Sequence, residues 1–261
     1  MNVTVLILDS VTKLGPEADG AVVIGGSHAA IYAAHLCAKG GVRAAIHHDA
    51  GIGLDEAGVG GLAYAEKLGM AMAAVATASA RIGDGRDLYD RGVISRANAL
   101  AAACGVVAGM SCKDAVERLK RAPWPHTMPP PKAEGRHVVE GIVCIDSATL
   151  VLPEDRDRVV ATGSHAALNS GTTTAPIAPR LIFFNDAGFG ADRGGVLGLA
   201  TLDRAGVAAV AVAAASARIG DGRSTLQDGT ISEVNQAAYR LGARVGSTAL
   251  ALARAVAEKA S

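Results

Sequence analysis

The chain has 261 residues, half of them apolar, and its 25 basic side chains are balanced by 25 acidic ones. A neutral balance without a basic cluster excludes nucleic acid as an expected partner, because phosphate recognition needs concentrated positive charge. No apolar run approaches the roughly 18 residues that cross a bilayer, so no membrane partner is expected either.

Residues 1–9 open the chain as an apolar stretch without a basic n-region, which does not have the form of a signal peptide. The four cysteines (Cys37, Cys104, Cys112, Cys144) lack metal-ligand or redox spacing and read as reduced thiols of a cytoplasmic protein. Short apolar runs at 3–8, 21–24, 43–48 and 70–78 predict strands buried on both faces of a parallel sheet. Segments 28–38, 59–68, 95–104 and 111–120 have helical length and composition, the last two opening on a serine. Only the first connection, 10–20, is short for a crossover helix, which leaves the direction of the first strand open. Strand–helix alternation implies an α/β fold. Aromatics make up 3% of the chain, so its core is expected to rest on small side chains.

The octapeptide Ser79-Ala80-Arg81-Ile82-Gly83-Asp84-Gly85-Arg86 returns unchanged from Ser216 to Arg223, an offset of 216 − 79 = 137 residues. The same offset aligns Asp9-Ser10 with Asp146-Ser147 and Gly26-Ser27-His28 with Gly163-Ser164-His165. It also aligns Asp49-Ala50-Gly51 with Asp186-Ala187-Gly188, Asp55 with Asp192, and Asn98 with Asn235. Five of the nine prolines fall in 122–131, a stiff stretch that reads as a linker. The expectation is two tandem homologous α/β repeats, Rossmann-like with mainly parallel sheets and related by a pseudo-two-fold axis. They would occupy 1–122 and 136–261, joined by a Pro-rich linker at 123–135.

Each repeated polar group begins where a predicted strand ends, the edge at which open parallel sheets bind ligands. Ser27 and Ser164 read as helix N-caps or as nucleophiles, with His28 and His165 as acid–base groups. Asp49 and Asp186 end a strand and are further acid–base candidates, while Asp55 and Asp192 are placed to cap the next helix. Two carboxylates with His28 suffice for a divalent ion, but capping is the commoner use, and no metal is expected. Within the octapeptides, Arg81, Arg86, Arg218 and Arg223, with Asp84 and Asp221 beside them, suit carboxylate or phosphate recognition. Ser79 and Ser216 would supply hydrogen bonds or a nucleophile. The competing explanation is an Arg–Asp pair that only locks the loop, Arg81 with Asp49 or Asp84. Ser95 and Ser232 read as N-caps, with Asn98 and Asn235 at the third helical position.

His47-His48 correspond to Phe184-Asn185, and no cysteine, lysine or tyrosine recurs, which removes a cysteine nucleophile or Schiff-base lysine from any shared mechanism. The glycine-rich turn after Asp49 fits neither the dinucleotide fingerprint nor the P-loop, so no organic cofactor is expected. These features predict an enzyme acting on a small anionic metabolite, as an amide- or lactone-type hydrolase first and a lyase second. A non-catalytic metabolite-binding or assembly module is the alternative, and turn chemistry of a duplicated fold a third reading. Apolar faces of small residues predict a homo-oligomer.

Overall fold

The computed structural model describes residues 3–125 and 127–258. Met1 and Asn2 of the opening apolar stretch, His126 of the Pro-rich stretch and 259–261 at the end of the second predicted repeat lie outside the described residues. The chain forms two compact units: one holds the chain up to Gly51 with Glu56–Ala133 and Gly190–Asp192, the other Ile52–Asp55, Glu134–Phe189 and the chain from Arg193 on.

Unit 1 is built on a five-stranded sheet of β1 (Val5–Leu8), β2 (Val22–His28), β3 (Ala44–His48), β4 (Ala71–Val75) and β5 (Ile94–Ala97), in that order. Pairings up to β4 are parallel and β5 is antiparallel. The connection from β1 to β2 is two 3-10 turns, Val11–Lys13 and Pro16–Ala18. Helices α1 (Ile31–Lys39) and α2 (Gly61–Lys67) follow β2 and β3 and pack on each other. Helix α3 (Gly85–Arg91) leads into β5, and α4 (Ala99–Ala103) and α5 (Cys112–Leu119) follow it. Because strand order equals chain order, the sheet has no reversal point of the doubly wound kind, and here it departs from the Rossmann-like expectation.

Side-chain alternation sorts the strands into two buried faces. Val22, Ile24, Ala44, Ile46, Ala73 and Val75 pack against Leu88, Val116 and Leu119 from α3 and α5. Burying both faces explains why these strands read as continuous apolar runs.

Unit 2 is a six-stranded sheet, in order β11, β10, β9, β8, β7, β6. These are β6 (Arg136–Val139), β7 (Ile142–Ile145), β8 (Val159–His165), β9 (Leu181–Asn185), β10 (Ala208–Val212) and β11 (Ile231–Val234). The steps β7–β8, β8–β9 and β9–β10 are parallel, and the outer strands β6 and β11 are antiparallel. Its helices are α6 (Leu168–Thr174), α7 (Gly198–Arg204), α8 (Gly222–Gln227), α9 (Gln236–Arg240) and α10 (Ala249–Glu258). One face of the sheet (Cys144, Ala161, Phe183, Val210) packs on Leu226 and Leu252, and the other (Ile145, Val160, Ile182, Phe184) on Leu199 and Leu202.

Two expectations change here. The predicted helix over 95–104 begins as strand β5, and Asn98 rather than Ser95 is the N-cap, its side chain accepting from Ala101 N. Unit 2 behaves likewise: Ser232 lies in β11, and Asn235 caps α9 by accepting from Ala238 N. Ile94 is buried beside half-buried neighbours, so the segment follows the edge of the sheet, and its alanine-rich continuation concealed the boundary. The second change is at Ser27 and Ser164, which lie inside β2 and β8, while α1 and α6 start after Ala30 and Ala167 without a side-chain cap.

Candidate functional site

Hydrogen bonds gather the repeated polar groups at the carboxyl ends of the parallel strands, separately in each unit. In unit 1, the Asp9 carboxylate accepts from Gly85 N at 3.1 Å, Gly26 O accepts from Gly83 N at 2.8 Å, and Asp49 accepts from Thr77 N at 2.9 Å. The octapeptide loop therefore crosses the ends of β1 and β2, and its Ala80 O is hydrogen-bonded by His48 at the end of β3. Its glycines follow from that path. Gly83 turns at φ 80°, a left-handed conformation that disfavours side chains, and a Cβ on Gly85 would overlap the Leu8 carbonyl oxygen. Unit 2 repeats the arrangement: Gly163 O accepts from Gly220 N, Asp186 accepts from Ala214 N, and Gly222 lies against the Ile145 carbonyl.

The serines anchor backbone. Ser27 Oγ accepts from Val11 N at 3.1 Å, and Ser164 Oγ from Ala148 N at 2.8 Å. Ser79 Oγ donates to Ala76 O and accepts from Val93 N, and Ser216 Oγ does the same with Ala213 O and Thr230 N. In this arrangement the hydroxyl protons of Ser79 and Ser216 point at carbonyls rather than at a base, which is not the alignment of an activated nucleophile. Asp49 and Asp186 are buried, and each closes a turn by accepting from the amide two residues on, Gly51 or Gly188. Asp84 and Asp221 cap α3 and α8.

The arginines divide. The Arg81 guanidinium meets Asp84 at 3.0 Å and Asp87 at 3.2 Å, and Arg91 adds two 2.8 Å hydrogen bonds to Asp87 and one to Asp192, which belongs to this unit. Burial pushes the Asp87 carboxyl up, but the Arg91 and Arg81 hydrogen bonds outweigh it and hold the group below the ordinary carboxylate value. Arg81 thus locks the loop, with Asp84 and Asp87 rather than with Asp49. Arg218 pairs with Asp55 and with Asp228, and its backbone N–H goes to Ser224 Oγ. Arg86 is exposed but engaged by Asp90 at 2.7 Å, and Asp90 also meets Lys113. Arg223 is exposed as well, but the residue four further on is Gln227, and its guanidinium has no ion pair among the described residues.

Three histidines end strands, His28 and His48 in unit 1 and His165 in unit 2. His28 ends β2 and pairs in register with His48, and His165 ends β8 opposite Asn185. Burial first, and then the nearby His48, lowers the His28 imidazole to about 4, so it is neutral at pH 7. His165 is buried, and its Nδ1 accepts from Ala167 N at 3.3 Å. His48 is lowered by burial too, although its hydrogen bond to Ala80 O and the nearby Asp49 and Asp87 pull the other way.

Sequence reasoning missed Glu134, half-buried at the end of the Pro-rich stretch, whose carboxyl burial and the neighbouring Asp146 push up to about 7. Asp146 in turn accepts from Gly135 N at 2.6 Å. A lone carboxylate beside prolines carries no periodic signal, which is why it escaped notice. It missed Asp87 and Arg91 too, although their spacing of four residues suits a helical ion pair. Among the described residues no group of three His, Cys, Asp or Glu side chains is placed to hold a metal ion. No family model, curated protein or solved structure matches the chain.

Proposed function

We propose that the chain is a cofactor-independent enzyme acting on a small metabolite bearing a carboxylate or phosphate, an amide- or lactone-type hydrolase first and a lyase second. The observation that carries this reading is the histidine that ends an equivalent strand in each unit, His28 in β2 and His165 in β8. A neutral imidazole, the form His28 takes at pH 7, donates one hydrogen bond and accepts another, which suits polarising a carbonyl and relaying a proton. Arg223 adds an exposed cation without a carboxylate partner among the described residues, the natural anchor for the substrate's anionic group. Unit 1 instead engages the corresponding Arg86 with Asp90, so unit 2 is the better candidate for turnover. In this reading Ser27, Ser79, Ser164, Ser216, Asp49 and Asp186 hold the loops that shape the site. The recurrence at 137 residues is read as a tandem duplication with pseudo-two-fold related halves, and the protein as a cytoplasmic homo-oligomer.

Turnover of small cyclic amides, lactones and dicarboxylates tests the proposal. His165→Ala is expected to lower kcat by about 10²-fold, the contribution of one acid–base group, and Arg223→Ala to raise KM about tenfold. Unchanged kinetics in both variants would remove the assignment. The engagement of four serine hydroxyls by backbone groups favours a second reading, a metabolite-binding or assembly module. A thermal shift by a metabolite that is never turned over would establish that module instead.

A further inference from the structure

Away from the strand ends, unit 1 holds a groove of about 660 Å³ between the β1–β2 connection and the end of α1. Val11, Leu14, Pro16, Leu36 and Met128 make its walls apolar, while Gly15, Gly40 and Gly41 contribute only backbone. Two exposed charges of opposite sign, Lys39 and Asp19, also line it, and neither forms an ion pair among the described residues.

The glycines keep this space open. One offset of 137 further on, Gly15, Gly40 and Gly41 become Leu152, Ile177 and Ala178, and Lys39 and Asp19 become Pro176 and Arg156. Backbone conformation does not demand glycine at two of the three positions. Gly40 has φ −79°, and a Cβ there would stand 3.3 Å from Leu36 O and 3.9 Å from Leu14 Cδ1. Gly15 has φ −107°, and a Cβ there would meet only the flexible Glu17 carboxylate. What glycine provides at 15 and 40 is room.

We infer that this groove binds a small zwitterion with an aliphatic body, an amino acid of the leucine class. Its carboxylate meets the Lys39 ammonium, its ammonium meets Asp19, and its side chain lies among Leu14, Leu36 and Met128. Volume and lining match small-molecule sites, which are mostly apolar with a few polar groups that set orientation. Charge decides the class of ligand. A simple carboxylate would satisfy Lys39 but face Asp19, a simple amine the reverse, and a zwitterion satisfies both. This site is independent of the chemistry proposed at the strand ends.

Calorimetry on the full chain with L-leucine, isocaproate and isoamylamine tests the inference. Leucine is expected to bind with Kd of about 0.1–1 mM, and the two single-charge analogues at least about tenfold more weakly. Lys39→Gln and Asp19→Asn should each weaken leucine binding about tenfold, and Gly40→Ile, which installs the residue found at 177, should abolish it with the thermal midpoint retained. Gly15→Leu serves the same purpose if Gly40→Ile fails to fold. Absence of leucine binding at about 10 mM, equal affinity for isocaproate, or undiminished binding in a filled variant overturns the inference.

Discussion

His48 and Asn185 show how two different side chains meet one local demand. His48 Nε2 donates to Ala80 O at 3.0 Å while Nδ1 accepts from Ala50 N at 3.0 Å. Asn185 Nδ2 donates to Ala217 O at 3.1 Å while Oδ1 accepts from Ala187 N at 2.9 Å. Each residue ties the turn after its strand to the octapeptide loop, with one donor and one acceptor, and only a neutral imidazole can do so. His48→Asn is therefore expected to keep the fold at a cost below about 1 kcal/mol. His48→Leu leaves a buried N–H and a buried C=O unmatched and should cost about 2–4 kcal/mol in urea unfolding. Equal losses in both variants would contradict this account. His48, which has Asn185 as its counterpart 137 residues on, is thus a loop anchor.

At the scale of elements, the octapeptide's identity in two places has a structural reason for most of its positions. Ala80 and Ile82 are buried, Ser79 ties two backbone segments, Gly83 turns, Asp84 caps a helix and Gly85 lets that helix lie on the end of β1. Gly222→Ala tests the unit 2 counterpart of the Gly85 contact, because its Cβ would overlap the Ile145 carbonyl and so force α8 away from β7. A loss of about 3 kcal/mol or more is expected in chemical unfolding, the upper range for overpacking, and a neutral result would show that α8 can shift freely. The same loop shows what sequence could reveal. Polar groups follow β1 and β3 because each strand ends as its apolar run stops, and that was readable at Asp9 and Asp49, whereas β4 stops at Val75, three residues short of the end of the apolar run that precedes Ser79. The inward fold of Ser27 and His28 was not, since β2 continues through Gly25 and Gly26 where glycines suggested a turn. Helix α3 was also hidden, being short and opening on glycine. Strand β6 was concealed because a four-residue edge strand joined through Glu140 and Gly141, both at positive φ, carries almost no periodic signal.

For the molecule as a whole, the buried titratable groups set the pH dependence of stability. Burial lowers His28 and His47 to about 4, with the His28 backbone hydrogen bond opposing the effect at His47. An unfolded imidazole takes up a proton near pH 6.5 and the folded one does not, so stability falls as pH drops from 6.5 toward 4. For fully buried His47 the shift corresponds to about 3 kcal/mol at the acid end. Glu134 acts in the opposite sense. Its folded value is raised from 4.5 to about 7, so its contribution is present below pH 4.5 and is lost as pH rises through 7. Between 4.5 and 6.5 the two effects oppose each other, and single variants separate them. His47→Phe, which installs the residue found at 184, should flatten the acid limb of a midpoint-against-pH curve, and Glu134→Gln should remove the contribution that declines between about pH 4.5 and 7. Glu134 stands beside Gly135, whose amide the Asp146 carboxylate holds, so the repulsion that appears as Glu134 ionises falls where the Pro-rich stretch enters β6. Amide exchange at Gly135 is then expected to quicken above pH 7 beyond its intrinsic base dependence in the wild-type chain and not in Glu134→Gln. Identical exchange profiles in the two proteins would place the origin of the alkaline decline elsewhere.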